Sequence, residues 1–144
     1  MPAAATSTGG MRVLRALALI AVLAGAVGSV YFMLRVGHNQ ESILLLALFF
    51  GWDVAPFAAL GWAIVSRRWL PAGQSMVYIT ALVVAGVSLF VYYRVAYGPP
   101  IPQPASRFLV LPVLSWALIV VTLMLAARAR GGPPVPPPTV GGAS

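Results

Sequence analysis

Asp53 is the residue of this chain whose chemistry is most conspicuous, because its carboxyl group lies inside a long apolar stretch. The stretch covers about residues 43–66, and Asp53 follows its start by about eleven residues. At a rise of about 1.5 Å per helical residue, this places Asp53 about 16 Å deep, near the middle of a hydrocarbon layer about 30 Å thick. A charged aspartate at that depth costs about 2.5–3.5 kcal/mol and normally faces a partner or a water cavity. We therefore expect a polar site around Asp53.

A proline lies beside this carboxyl group. Pro56 follows Asp53 by three residues, has no N–H to donate, and clashes with the carbonyl four residues earlier, that of Trp52. Backbone carbonyls are therefore partly freed at the depth of Asp53. Transporters use broken helices of this kind to build cation sites.

Three further side chains are candidate members of the same polar site. Ser88 and Ser115 lie in the third and fourth apolar stretches, within about one helical turn of the expected depth of Asp53. Arg94 lies higher in the third stretch, and two interpretations stay open for it. Its long side chain either reaches down to pair with Asp53 or extends outward to the lipid headgroups.

A second polar group precedes the second apolar stretch and consists of His38, Asn39, Gln40 and Glu41. The preferred interpretation is a solvated helix start, and the alternative is a weak metal site or proton relay. With one histidine and no cysteine, the chain has no thiolate ligands and no pair of histidines for haem. We expect neither a metal nor a cofactor.

Small residues recur every fourth position along the second stretch, at Gly51, Ala55, Ala59 and Ala63. Such a stripe lets helices approach closely in a membrane. At about 100° per residue, Asp53 lies nearly opposite the stripe, on the face of Phe49, Phe57 and Leu60. A similar stripe in the first stretch consists of Ala21, Gly25 and Ser29. Packing of both stripes within one chain is slightly favoured over packing against another subunit.

Four apolar stretches dominate the organisation of the chain, at about residues 13–34, 43–66, 76–97 and 107–127. The sequence is 60% hydrophobic and only 8% charged, whereas a soluble domain carries about 25% charged residues. These features predict an all-α integral membrane protein, with one transmembrane domain over 12–130 folded as an up-down-up-down four-helix bundle. We expect disorder in 1–11 and in the Pro/Gly-rich tail 131–144, an uncleaved first helix, and N-caps at Ser42, Ser75 and Ser106.

The arginines indicate an orientation. All nine basic residues are Arg. Six of the nine flank the ends that include both termini, namely Arg12, Arg15, Arg67, Arg68, Arg128 and Arg130, and three flank the loops 36–42 and 98–106, namely Arg35, Arg94 and Arg107. This asymmetry predicts cytoplasmic termini. With that orientation, Tyr31, Tyr92, Tyr93 and Tyr97 form an outer aromatic belt at the membrane surface. An inner belt consists of Trp62, Trp69 and Tyr78. The composition suggests a bacterial inner membrane. The scattered arginines do not form a basic groove, which argues against a nucleic-acid partner.

Three functional hypotheses follow from these features. The first is a non-catalytic membrane subunit or scaffold, working as a homo-oligomer or within a larger membrane complex in the lipid bilayer. The alternative is a small oligomeric proton- or cation-coupled transporter or channel that uses Asp53. An enzyme at the outer membrane face, using His38 and Glu41, ranks last because one histidine and two acidic residues offer few catalytic combinations.

Overall fold

The fold consists of four long α-helices. A computed structural model describes residues 3–36, 42–66, 68–99 and 104–129. The helices are α1 (Ala3–Val36), α2 (Ile43–Val65), α3 (Pro71–Tyr97) and α4 (Pro104–Arg128), and the described residues contain no strand. The all-helical architecture predicted from the four apolar stretches is thereby confirmed.

The beginnings of α2 and α3 show two different capping solutions. Ser42 caps α2 as predicted, since its Oγ accepts a hydrogen bond from the Leu45 N–H at 3.3 Å. The prediction of Ser75 as a cap is wrong, because α3 begins at Pro71 with Leu70 as its N-cap. Proline suits the first helical turn, where its fixed φ is helical and no N–H donor is needed. Ser75 instead donates to the Pro71 carbonyl at 3.2 Å.

The first and fourth helices also begin earlier than the apolar stretches indicate. Since α4 begins at Pro104, Ser106 lies inside its first turn and is not the cap. Since α1 begins at Ala3, most of the segment 1–11 is helical, where the sequence predicts disorder. Alanine has the highest helix propensity, and residues 3–5 continue a helix that the apolar stretch already forms. The predicted disordered tail 131–144 lies outside the described residues.

Contacts between side chains define how the helices run. Ser75 lies against Met11, and the Tyr31 and Tyr97 hydroxyls are 3.4 Å apart, so α1 and α3 run parallel. Gly25 of α1 faces Phe57 of α2, and Val22 of α1 lies 3.6 Å from the Cβ position of Gly61, so these neighbours are antiparallel. These directions agree with up-down-up-down connectivity. The most extensive packing, however, joins α1 to α3 and not to its sequential neighbour α2.

Two hydrophobic clusters fill the interior, while the exterior is also apolar. The larger cluster includes Phe57, Leu60 and Ile64 of α2 with Val77 and Ala81 of α3. Large apolar side chains cover the outer surface as well; for example, Ile43 is 83% exposed and Leu44 is 82% exposed. Helices that are apolar on all sides are typical of membrane spans. All four helices are long and apolar enough to cross a membrane, which indicates an integral membrane protein.

Candidate functional site

Asp53 lies on the interior face of α2. Its side chain is only 3% exposed, and the buried residues that share its face are Pro56, Phe57, Leu60, Ala63 and Ile64. Their spacing of three and four residues follows the helical period, so they form one continuous stripe. The face predicted from the sequence, with Asp53 beside Phe57 and Leu60, is therefore the one that α2 turns towards the other helices.

The partner of Asp53 is Tyr92 of α3. The Tyr92 hydroxyl donates a hydrogen bond to Asp53 Oδ1, and the tyrosine side chain is 1% exposed. Its ring packs with Met33 of α1 in the second hydrophobic cluster. Arg94, the candidate partner in the sequence, is exposed. Tyr92 therefore belongs to the interior and not to the predicted aromatic belt.

Ser29 of α1 completes a contact among three helices. Its side chain is fully buried, and its hydroxyl lies near enough to interact with the Asp53 carboxyl group. Within the described part of the chain, neither Ser29 Oγ nor Asp53 Oδ2 makes a hydrogen bond. Both are polar atoms without access to solvent, so each is a buried atom whose hydrogen-bonding capacity is unsatisfied.

The other expected members of the site are buried, with separate roles. Ser88 is 3% exposed and lies one helical turn before Tyr92, on the same face of α3. Ser115 of α4 is 7% exposed, but its hydroxyl donates to the Leu111 carbonyl of its own helix at 2.9 Å. Pro56 is buried within the continuous helix α2. The sequence thus identified the interior faces but missed Tyr92 and the role of Ser29.

One signal in the sequence points to Tyr92. It follows Ser88 by four residues, so the two share a helix face, and Ser88 was already a candidate for the interior. A tyrosine on that face needs a partner for its hydroxyl once it is buried. The carboxyl group of Asp53 is the acceptor that the structure supplies.

A second polar contact ties α3 to α4. The hydroxyls of Thr80 and Thr122 lie 2.9 Å apart, and both side chains are buried. Hydrogen bonds between transmembrane helices contribute about 0.6 kcal/mol on average and at most about 1.7 kcal/mol. Thr80 and Thr122 therefore hold two helices together at a level separate from Asp53.

The small-residue stripe of α2 divides between the interior and the outer surface. Ala63 is 1% exposed, whereas Gly51 is exposed and an added Cβ there would meet no atom within 4 Å. The stripe of α1 packs inside the chain, since Gly25 and Ser29 are buried and Gly25 faces Phe57.

An apolar groove runs between α2 and α4 on the outer surface, next to Gly51. Its volume is about 620 Å³, and its lining residues come from α2 and α4. They include Gly51, Trp52 and Ala55 of α2 with Leu109 and Trp116 of α4. The exposed part of the small-residue stripe is thus one wall of this groove.

Aromatic and basic side chains cluster at one end of α1 and α3. Arg35 lies 4.8 Å from the ring centre of Tyr97, and the rings of Tyr93 and Tyr97 are 5.2 Å apart. Tyr31, Tyr93 and Tyr97 are exposed, as residues at a membrane interface would be.

At the opposite end of the bundle, the aromatic residues differ in their placement. Arg68 lies 6.0 Å from the ring centre of Trp62, which is 63% exposed. The indole of Trp69 donates to the Ala63 carbonyl at 3.2 Å. Tyr78 is 4% exposed and belongs to the core, so its predicted place in the inner belt is wrong.

The outer-loop group of His38, Asn39 and Glu41 lies outside the described residues. Among the residues that the structure does describe, no three potential metal ligands come together. Asp53 with Tyr92 and Ser29 offers one acid and two hydroxyls, which is a set that can hold a proton or contact a small cation.

No protein-family model matches the chain, and no curated protein or solved structure is detectably similar to it.

Proposed function

We propose that this protein is a non-catalytic subunit of a membrane assembly, in which the outer groove between α2 and α4 receives a transmembrane helix of a partner subunit. The observation that carries the proposal is the bare backbone at Gly51. No atom outside its own turn of helix lies within 4 Å of the place a Cβ would take, and the residue borders a groove of about 620 Å³. Small residues at such a surface allow a second helix to approach closely.

The polar side chains support the same proposal because they form hydrogen bonds between helices inside the bundle. The Asp53–Tyr92 hydrogen bond joins α2 to α3, and the Thr80–Thr122 contact joins α3 to α4. The polar groups at membrane depth thus hold the helices to one another. The outer groove is left with an apolar lining suited to helix packing by van der Waals contact.

Cysteine crosslinking in the cysteine-free chain tests this interface. Gly51→Cys labelled with a thiol-reactive photocrosslinker should crosslink to a partner helix in native membranes, while Gly86→Cys of α3 labelled in the same way should not. Gly86 is a matched control because it is also an exposed helical glycine with no atom near its Cβ position. Equal crosslinking at both positions, or none at Gly51, would contradict the proposal.

Native mass spectrometry on tagged protein, gently extracted from its own membrane, then identifies the partner. A stoichiometric foreign chain would establish an accessory subunit, and a discrete homo-oligomer would establish assembly from copies of this chain. A monomer that also lacks crosslinks at Gly51 would refute the subunit function.

The second candidate function is a small proton- or cation-coupled transporter or channel. It is favoured by two buried atoms of this site that make no hydrogen bond in the described part of the chain, Asp53 Oδ2 and Ser29 Oγ. Under this function, Asp53→Asn should abolish coupled flux in reconstituted vesicles while leaving folding and assembly intact. Unchanged flux in the variant would exclude Asp53 as the coupling group.

The proposed orientation places both termini in the cytoplasm, in a bacterial inner membrane. The uneven distribution of arginine between the two sets of helix ends supports it. Single cysteines at Arg68 and Gln103 provide the test with a membrane-impermeant reagent. Labelling from outside at position 103, with protection at position 68, is expected, and the reverse pattern would overturn the orientation.

A further inference from the structure

Three buried polar groups from three different helices meet at Asp53. Tyr92 of α3 donates to Oδ1, and Ser29 of α1 lies beside the same carboxyl group. Asp53 is 3% exposed, and Ser29 is fully buried. Oδ2 and Ser29 Oγ are both without a hydrogen bond in the described residues. A buried polar atom normally has a hydrogen-bond partner, so two unsatisfied atoms at one contact call for an explanation.

The charges near Asp53 limit the possible explanations for the two unsatisfied atoms. Among the described residues, the buried polar side chains that the neighbouring helices turn inward around Asp53 are Ser29 of α1, Tyr92 and Ser88 of α3, and Ser115 of α4. None of these side chains is a cation. Arg94 of α3 is exposed. An ionised Asp53 would therefore be an uncompensated charge in a low-dielectric interior, the costly case for a membrane carboxylate.

One added proton on Asp53 removes both the uncompensated charge and the unsatisfied hydrogen-bonding atoms. A proton on Oδ2 removes the charge and gives that oxygen a hydrogen to donate to Ser29 Oγ. Tyr92 continues to donate to Oδ1. The hydroxyl hydrogen of Ser29 is then free for the carbonyl of Gly25, one turn earlier on the same helix, which is a common bond for serine in transmembrane helices. Every polar atom of the three side chains then has a partner.

We propose that Asp53 binds a proton on Oδ2 and shares it with Ser29, so that the proton joins α1 to the α2–α3 pair. The proposal goes beyond the subunit function and does not depend on it. Removal of the proton leaves a bare charge at the contact among the three helices. Because Gly25 and Phe57 pack one turn away on the same α1–α2 interface, loss of the proton loosens the packing of α1. The site is thus a proton-dependent link within the bundle.

Infrared spectroscopy tests the proposal on the unaltered protein in lipid bilayers. Asp53 is the single aspartate of the chain, so a ¹³C label on the aspartate carboxyl group reports on this residue alone. The expected result is a carbonyl band of a protonated carboxylic acid that shifts with the ¹³C label and again in D₂O. A label that moves only carboxylate bands would overturn the proposal.

Two serine variants test the partner of the proton. Ser29→Ala should shift the labelled band, because the acceptor for the Oδ2 proton is lost. Ser115→Ala is the matched control, since that buried serine bonds to its own helix, and it should leave the band in place. Equal shifts, or none in Ser29→Ala, would exclude sharing with Ser29.

The alternative to a bound proton is a bound metal cation, and adding salt distinguishes the two. The labelled acid band should be unchanged when Na⁺ or K⁺ is added at constant pH. Conversion of the band to a carboxylate band by either ion would show that the site holds a metal cation, and it would overturn the proton proposal. This measurement also needs no variant.

Discussion

Replacing Tyr92 with phenylalanine removes one oxygen and keeps the ring, so it isolates the hydrogen bond to Asp53. The ring is 1% exposed and packs among apolar side chains, and phenylalanine retains those contacts. The loss leaves Asp53 Oδ1 without its donor, in addition to Oδ2, which has no hydrogen bond in the described residues. A typical interhelical hydrogen bond in a membrane contributes about 0.6 kcal/mol, and an unsatisfied buried group costs about 1–3 kcal/mol.

From these magnitudes we expect Tyr92→Phe to lower the free energy of unfolding by about 1–2 kcal/mol. At about 1.4 kcal/mol per factor of ten, the folded-to-unfolded ratio falls about five- to thirtyfold. Reversible unfolding in mixed micelles of detergent and denaturing detergent measures this change. Because the two helices keep their packing, the bundle itself should remain folded.

Tyr93→Phe is the matched control for this measurement. Tyr93 is the next residue of the same helix, carries the same hydroxyl, and is 55% exposed. Its loss should change the free energy of unfolding by no more than about 0.5 kcal/mol, as for most surface substitutions. If the two variants were equally stable, the Asp53–Tyr92 bond would have no net effect and the reasoning would be refuted. In an Asp53→Ala background, the effect of Tyr92→Phe should also shrink, because the acceptor is gone.

Two further changes test the packing between helices. Gly25→Ala places a methyl group about 3.0 Å from Cδ1 of the buried Phe57 ring, so it should be less stable than Gly86→Ala by about 1–3 kcal/mol. Both variants gain the same helix propensity, so their difference in unfolding free energy isolates the contact, and equal stabilities would contradict it. Thr80→Val and Thr122→Val should show a coupling energy of about 0.6–1.7 kcal/mol in a double-mutant cycle. Simple additivity would mean that the 2.9 Å contact between these hydroxyls contributes nothing.

The local pattern of residues was sufficient to predict the helices and the inward face of α2. Four stretches of apolar residues are sufficient for four helices, because backbone groups in an apolar medium must be bonded within the segment. The rotation of about 100° per residue then places Asp53 with Phe57 and Leu60, opposite Gly51. Both conclusions depend on neighbours within one helix, and the structure agrees with them.

The helix ends were less well determined because several residues compete to begin a helix. Ser42 acts as the cap of α2, but Pro71 begins α3 ahead of Ser75. An N-cap serine and a first-turn proline both satisfy the donors at a helix start, in different ways. The sequence alone does not rank them.

Which residues meet across helices could not be predicted from local patterns and follows from how the helices pack. The pairing of Asp53 with Tyr92, and the approach of Ser29, depend on the relative depth and rotation of three helices. An ambiguity of one residue turns a helix by about 100°, which is enough to move Tyr92 from the lipid-facing belt into the interior. The extensive α1–α3 packing is of the same kind, because it joins segments that are not adjacent in the chain. These contacts are set by the fit of whole helix surfaces, including glycines such as Gly25, and no local pattern of residues encodes that fit.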